Sequence, residues 1–345
     1  MGRQIDLLLP GLHWDTALKQ LNDQEYRPKN LERVLGKAKI VAEPGTDLTT
    51  TLFSLFGVGV VADRDLPSGA VTAFTPDRQS DGDCWALATP VHLLADRDRL
   101  ILIRLAPQSI ESDYAQRLIS RFNSHFETEG LSLVEVAQGQ WCMKLSTLPD
   151  MTTSDIESVA GRHIETFMPS GRDSASWRGL LNEIQMLFYQ EEMNQQRMLQ
   201  GDSYVNGIWL SGFGVCPEID NRYRALFGSH PLLSGLARLS KLPVSDPPSD
   251  IAEATAEDGN IAILFTDLLE AELNADTGAW VKALSETEQK LCDLLEVVDS
   301  AEDKLSIYTC KGYRFEVRKR GSIVNLFKGN KSLFQILGLV NSDRK

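Results

Sequence analysis

Short, uninterrupted apolar runs alternate with stretches of helical period at both ends of this chain, and that alternation limits the fold more than any other feature. "IDLLLP" (5–10) and "AKIVAE" (38–43) read as buried strands, with helical patterns near 15–22 and 30–36 between them. "NIAILFTD" (260–267) and "KLSIYTC" (304–310) repeat the arrangement, separated by Trp280, Leu284, Leu291, Leu294, Leu295 and Val298 at helical spacing. Strands that are apolar on both faces and alternate with helices predict a mostly parallel sheet between helix layers.

The middle of the chain reads differently. "CWALATPVHLLADRDRLILIRL" (84–105) gives two strands around the turn "ADRDR", followed by a helix marked by Tyr114, Leu118, Phe122 and Phe126. "LSLVEVAQGQWCMKL" (131–145) is a hairpin with Gln138-Gly139 at its tip. Trp177, Leu180, Leu181, Ile184, Leu187 and Phe188 form one stripe of a helix that runs from about Ser176 to Gln200, with Gly201 as its stop. Residues 1–76 and 191–345 are therefore expected to form one sheet-centred domain, with 77–190 an inserted, smaller α+β domain.

A chain of 345 residues can bury a core without staples. The net charge of −13 opposes phosphate backbones, so nucleic acid is not an expected partner. No apolar run approaches the roughly 20 residues that span a bilayer, and "MGRQIDLLLPGLHWD" lacks the form of a secretion signal. Five scattered cysteines without a CxxC pair fit reduced thiols. The expectation is a cytoplasmic protein that does not engage membranes. One segment, 311–331, carries seven Lys or Arg against the single acid Glu316 and reads as a hairpin turning at Arg320-Gly321. Its basic face is either a charge-guarded edge or a surface for an acidic protein partner.

Motifs with built-in chemistry are scarce. No complete dinucleotide fingerprint, no phosphate-binding P-loop and no G-x-S-x-G elbow occurs, and no two of His13, His92, His125, His163 and His230 stand four apart. "VNGIWLSGFGVCP" (205–217) is a strand whose exit is forced into a loop by Gly212, Gly214 and Pro217. Such glycines either let backbone N–H groups approach an anion or let the loop pack closely. His92, near a strand end, is either a ligand contact or a packing residue.

The stretch "MNQQRMLQGDSYVNGIWLSGFGVCP" (193–217) resembles a segment of the archaeal-type cofactor-independent phosphoglycerate mutases, with Asn194, Arg197, Asn206, Ile208, Trp209, Gly212 and Gly214 at matching places and Ser211 where the family has a second Trp. "PGTDLTTTLFSLFGV" (44–58) is similar to the family's nucleophile segment, and "TPVHLLADRDRLIL" (89–102) with "LLNEIQMLF" (180–188) resembles a bacterial branch of RpfE-type regulatory proteins. The resemblance implies an alkaline-phosphatase-like α/β/α sandwich with an inserted domain. It also implies a hydroxyl nucleophile at Thr46 and two divalent metals held at strand ends. The chain departs from that pattern where Pro10 runs directly into Gly11, without the family's Asp between them, and where "LLEAELNADTGAW" and "YTCKGY" lack the family's histidines. Asp47, Glu270 and Asp276 are the remaining metal candidates, and no bound metal is expected. Two functions follow from the resemblance: a non-catalytic regulatory or binding protein, or a metal-dependent phosphoryl-transfer enzyme, mutase or phosphatase, using Mn or Mg at a rearranged site. Under the first, an anionic small molecule is expected on His92, Arg97, Arg99, Asn206, Gly212 and Gly214.

Overall fold

The computed structural model describes residues 2–22, 26–76, 82–246, 258–297, 303–317 and 331–342. The chain divides into two compact units, Met1–Gly57 with Asp220–Lys345, and Val58–Ile219. Its first segment holds β1 (Gln4–Leu8), α1 (Asp15–Asn22), α2 (Lys29–Lys37), β2 (Lys39–Ala42) and α3 (Leu48–Leu55). The second unit begins with α4 (Ser68–Ala73), β3 (Cys84–Asp96), β4 (Arg99–Arg104), α5 (Ser112–His125), β5 (Ser132–Ala137) and β6 (Gln140–Leu145). It continues through the short β7 (Met151–Thr152), α6 (Ile156–Val159) and β8 (Ser170–Gly171) to α7 (Ser174–Tyr189), α8 (Glu192–Gln200) and β9 (Gly207–Gly214). The chain returns to the first unit with β10 (Ala225–Phe227), α9 (Pro231–Ser240), β11 (Val244–Ser245), β12 (Ile261–Leu264), α10 (Asp267–Leu273) and α11 (Thr277–Val297). It ends with β13 (Lys304–Tyr308), β14 (Tyr313–Val317) and α12 (Leu333–Ser342).

The first unit is the expected α/β domain. Its seven-stranded sheet has the order β11-β10-β12-β1-β13-β14-β2, parallel from β11 to β13 and antiparallel through β14 and β2. One face carries Ile5, Leu7, Ile261, Ile263, Leu305 and Ile307 into a core with residues of α1, α2, α10, α11 and α12. The other face carries Asp6, Leu8 and Leu264, all buried. Leu233 of α9 and Leu264 crowd the same point at Gly228, and Phe56, just past α3, stacks on Tyr223, whose hydroxyl binds Asp6 at 2.6 Å. Helix layers therefore lie on both sides, as continuous apolar strands require.

Two expectations for this unit need correction. The strand at 38–43 is not a buried neighbour of β1. It is the mostly exposed edge strand β2 beside β14. The basic hairpin does not pair 313–317 with the stretch after Arg320: β14 is hydrogen-bonded to β13 on one side and β2 on the other, so both of its edges are filled. Tyr313 and Phe315 do turn inward, while Arg314 is spent on ion pairs with Glu43 and Glu316. Residues 318–330 of the basic segment lie outside the described residues.

The second unit is an antiparallel sheet covered by helices. β3 pairs with β4 and β6 along one edge and with β9 along the other, and β6 pairs with β5. Its core joins Tyr114, Leu118 and Phe122 of α5 to Ile184, Leu187 and Phe188 of α7. This unit takes in more chain than 77–190, because β9 pairs with β3 and α4 packs against β3, where a Cβ on Gly69 would stand 2.4 Å from Ala86. The single helix expected from about Ser176 to Gln200 is two helices. Glu191 is extended (ψ 131°), and the buried Asn194 side chain donates to the carbonyls of Phe188 and Val205, holding the break open. Gly201, left-handed at φ 76°, ends α8 as its position predicts.

Candidate functional site

The strand β9 is buried along its whole length, and its glycines are packing positions. Gly212 has φ 64°, and a Cβ there would fall 1.8 Å from Ser68 Oγ; a Cβ on Gly214 would fall 2.5 Å from Pro67. Only glycine lets α4 sit this close to β9. The N–H groups here already have an acceptor inside the chain. Phe213 N–H donates to the Asp65 carboxylate (3.2 Å), Gly212 N–H points to Thr153 Oγ1 (3.3 Å), and Thr153 gives Asp65 both its N–H (2.8 Å) and its hydroxyl. Burial nonetheless raises the Asp65 pKa, against the pull of the Thr153 and backbone donors. A carboxylate of the protein thus holds the place that the sequence leaves open for an external anion.

The other motif residues of this unit are also occupied. Asn206 brackets Leu93, accepting from its N–H (2.6 Å) and donating to its carbonyl (2.9 Å). Asn194 accepts from the Tyr114 hydroxyl, which in turn accepts from Val205 N–H (2.7 Å), and Arg197 lies 4.6 Å over the Tyr114 ring. His92 Nδ1 is 3.0 Å from the Tyr204 carbonyl, so that nitrogen carries the proton in the neutral ring. Arg97 (φ 58°) and Arg99 are exposed at the turn between β3 and β4. Ser211 pairs with Leu87 of β3, about ten residues from Arg97, which is roughly 33 Å along a strand. His92, Arg97, Arg99, Asn206, Gly212 and Gly214 are strung along β3, its turn into β4 and its neighbour β9, and do not make one pocket.

The first unit gathers chemistry at the carboxyl ends of its parallel strands. After β1 the chain passes Gly11, whose carbonyl accepts from the Trp280 indole (2.8 Å), and reaches His13. After β13 it passes the left-handed Cys310 (φ 57°) and Gly312 (φ 81°), with the exposed Lys311 between them. His13 Nδ1 meets the Tyr313 hydroxyl at 2.8 Å, and Nε2 lies 3.6 Å from Asp15. Burial lowers the His13 pKa; Asp15 opposes that shift and Lys311 adds to it. Burial raises the Glu272 pKa on α10, with Lys311 pulling it back and Asp15 reinforcing it. The Lys311 loop is stitched to the loop before α3 by Glu43 N–H to the Gly312 carbonyl (2.9 Å) and Gly312 N–H to the Gly45 carbonyl (2.7 Å). Thr46 follows Gly45, exposed, with its N–H on Thr50 Oγ1 (2.9 Å). The cluster is an imidazole, a phenol, an ammonium and two carboxylates around one strand edge. Its members come from three distant segments, and no local spacing marks them.

The metal candidates do not assemble there. Asp47 is the N-cap of α3, accepting from Thr50 N–H at 2.7 Å, and Asp276 accepts from Ala279 N–H (2.8 Å) at the start of α11. Glu270 is exposed on α10. Among the described residues no three of His, Cys, Asp or Glu are grouped so as to hold a metal ion. The Mn or Mg pair that the resemblance implies does not fit these donors. On the other sheet face Asp6, fully buried, accepts from Tyr223 and from Arg222 (3.0 Å) and Gln4 (3.0 Å). Burial first, then the Asp6 charge, pushes the pKa values of Tyr223 and Tyr308 upward. Among the described residues no helix is long and apolar enough to cross a membrane.

No family profile and no curated protein matches the sequence. Among solved structures, the PH0037 protein from Pyrococcus horikoshii is similar over 94% of this chain and 89% of its own, with a TM-score of 0.57 and 14% identity. The cofactor-independent phosphoglycerate mutase from Thermoplasma acidophilum DSM 1728 aligns over 100% of both chains at 15% identity, with a TM-score of 0.46, too low to carry an argument. The likeness to PH0037 shows a shared fold and nothing of activity.

Proposed function

We propose that this chain is a non-catalytic regulatory or binding protein on a phosphoglycerate-mutase-like scaffold, acting in the cytoplasm with its cysteines reduced. One observation carries the reading: the side chains that the resemblance would place on metals are committed to structure, Asp47 and Asp276 as helix caps. A two-metal phosphoryl transfer needs several hard donors on each ion, and two capping carboxylates with an exposed Glu270 do not supply them. No disulfide joins the five cysteines, in keeping with a reducing compartment.

The test is elemental analysis of the dialysed protein, joined to mutase and phosphatase assays in added Mn or Mg. The expected result is no retained metal and no turnover. Stoichiometric metal or metal-dependent turnover would instead establish the phosphoryl-transfer enzyme.

A further inference from the structure

We propose that the cleft between α7 and the open end of the β5–β6 hairpin, in the second unit, is a binding site for a small aromatic amine, with the ring against Trp177, Leu145 and Leu180 and the ammonium on Glu129. The proposal goes beyond the non-catalytic reading and uses none of the residues that carry it. The cleft encloses about 240 Å³. Its floor is Leu131 and Leu145, which flank the Ser132–Lys144 pair where β5 and β6 part, and its wall is Trp177 and Leu180, one turn of α7. Leu145 is buried and the other three are half-buried, packed on the core that joins α5 to α7. The Phe213 ring meets the Trp177 indole at 5.0 Å, nearly edge-on (72°), and fixes that wall. Gly130, left-handed at φ 69°, turns the chain into Leu131, and a Cβ there would stand 3.3 Å from Ser146 Oγ on the rim. His125 Nε2, 2.8 Å from Glu183, ties the end of α5, which leads into Glu129, to α7. The site is therefore built on a hairpin and a helix rather than on loops alone.

The lining selects the ligand. An apolar cavity of about 150 Å³ holds a benzene ring, so this cleft has room for a ring and a short tail. Leucine side chains and an indole suit an aromatic body, and an indole face also attracts a cation. Glu129, exposed at the mouth, is the one ionisable residue of the lining, and it makes no ion pair among the described residues. The hydroxyls of Ser146 and Ser176 share the rim and can accept the remaining ammonium protons. No cationic side chain lines the cleft, so a carboxylate or phosphate would find no counter-charge there, and the net charge of −13 favours cations at long range. The ligand is an aromatic ring on a short, protonated amine.

The experiment uses the full chain and 2-phenylethylamine as probe, read by calorimetric titration and by tryptophan emission. Trp85, Trp141, Trp209 and Trp280 are buried, so the emission that a solute can reach is that of Trp14 and Trp177. The amine should bind saturably in the millimolar range or tighter and change the emission. In Trp177→Phe, which keeps an aromatic wall, the heat of binding should persist while the emission change disappears. 3-Phenylpropionate, of similar shape and opposite charge, should bind roughly three- to tenfold more weakly, the worth of one exposed ion pair, and Glu129→Gln should abolish that preference. Ser176→Trp, a substitution at an exposed rim position, should block the amine with an unchanged thermal midpoint. No saturable heat, equal binding of the two probes by the parent, an emission change that survives in Trp177→Phe, or parent-like binding by a folded Ser176→Trp would each overturn the proposal.

Discussion

At the scale of single residues, two positions separate packing from chemistry. Gly212 is required by its left-handed backbone and by Ser68, so Gly212→Ala should destabilise the protein by about 1–3 kcal/mol in denaturant unfolding. Ser68 Oγ is itself buried without a partner, so Ser68→Ala should cost little alone and recover part of the Gly212→Ala loss in the double variant. An unchanged midpoint for Gly212→Ala would show that α4 does not rest on β9. His13 makes the opposite kind of statement. Its folded pKa lies below the ordinary 6.5, chiefly through burial, so at acid pH the unfolded chain binds the proton more readily than the folded one. Its contribution is fully present above about pH 6.5 and is lost as pH falls below that value. Imidazole NMR should give a His13 midpoint under 6.5, and Lys311→Met should raise it by removing a neighbouring positive charge. A midpoint above 6.5 in the parent would refute the buried, neutral ring.

At the scale of elements, the strands and most helices are legible because period and turn chemistry are local properties. The hairpin at 131–145, the turn after Asp96 and the glycine stop at Gly201 stand where their residue types put them. Sheet membership is not local. A strand buried on both faces reads alike in the middle of a parallel sheet and, as β9 is here, beside β3 under α4 and α7. The break between α7 and α8 was equally hidden, since no Gly or Pro marks it and its cause is the Asn194 amide reaching the Phe188 carbonyl. Asp47 and Asp276 show the converse: an Asp just ahead of a helical run is first a cap, and the capping explanation was available from the sequence. The cluster at His13, Glu272 and Lys311 could not be read, because only the pairing of β1 with β12 and β13 brings those loops together. The break gives a test at this scale. Asn194→Ala removes hydrogen bonds to the Phe188 and Val205 carbonyls and to Tyr114, all buried, and should cost about 3–5 kcal/mol. Asn194→Asp, which cannot donate twice, should also destabilise; a neutral result for both would mean that the helix break stands without the amide.

At the scale of the molecule, the two units differ in how they are built, and each has the means to fold by itself. The first unit's core draws on both of its chain segments, from Ile5 to Leu35 and from Ala225 to Leu337. The second unit's cores are made of residues from Ala70 to Cys216. Within the first unit the two chain breaks meet: Asp220 N–H donates to the Phe56 carbonyl at 2.9 Å, and Gly57 is left-handed (φ 76°) with a would-be Cβ 2.8 Å from Asp220 Oδ2. The return strand is further pinned a few residues on, where Arg222 and Tyr223 bind the buried Asp6. Ends this close need only a short link, and closing a short loop costs little entropy. Replacing Val58–Ile219 with a few Gly and Ser residues should therefore leave a cooperative first unit, and Val58–Ile219 expressed alone should fold as well. Circular dichroism and denaturant titration decide this. In the joined first unit, Asp6→Ala should then be strongly destabilising, about 3–5 kcal/mol, because it strands Arg222 and two buried tyrosines without their carboxylate. A first unit that unfolds without Val58–Ile219 would mean that its core is not self-sufficient and that the seam at Gly57 and Asp220 is only a crossing.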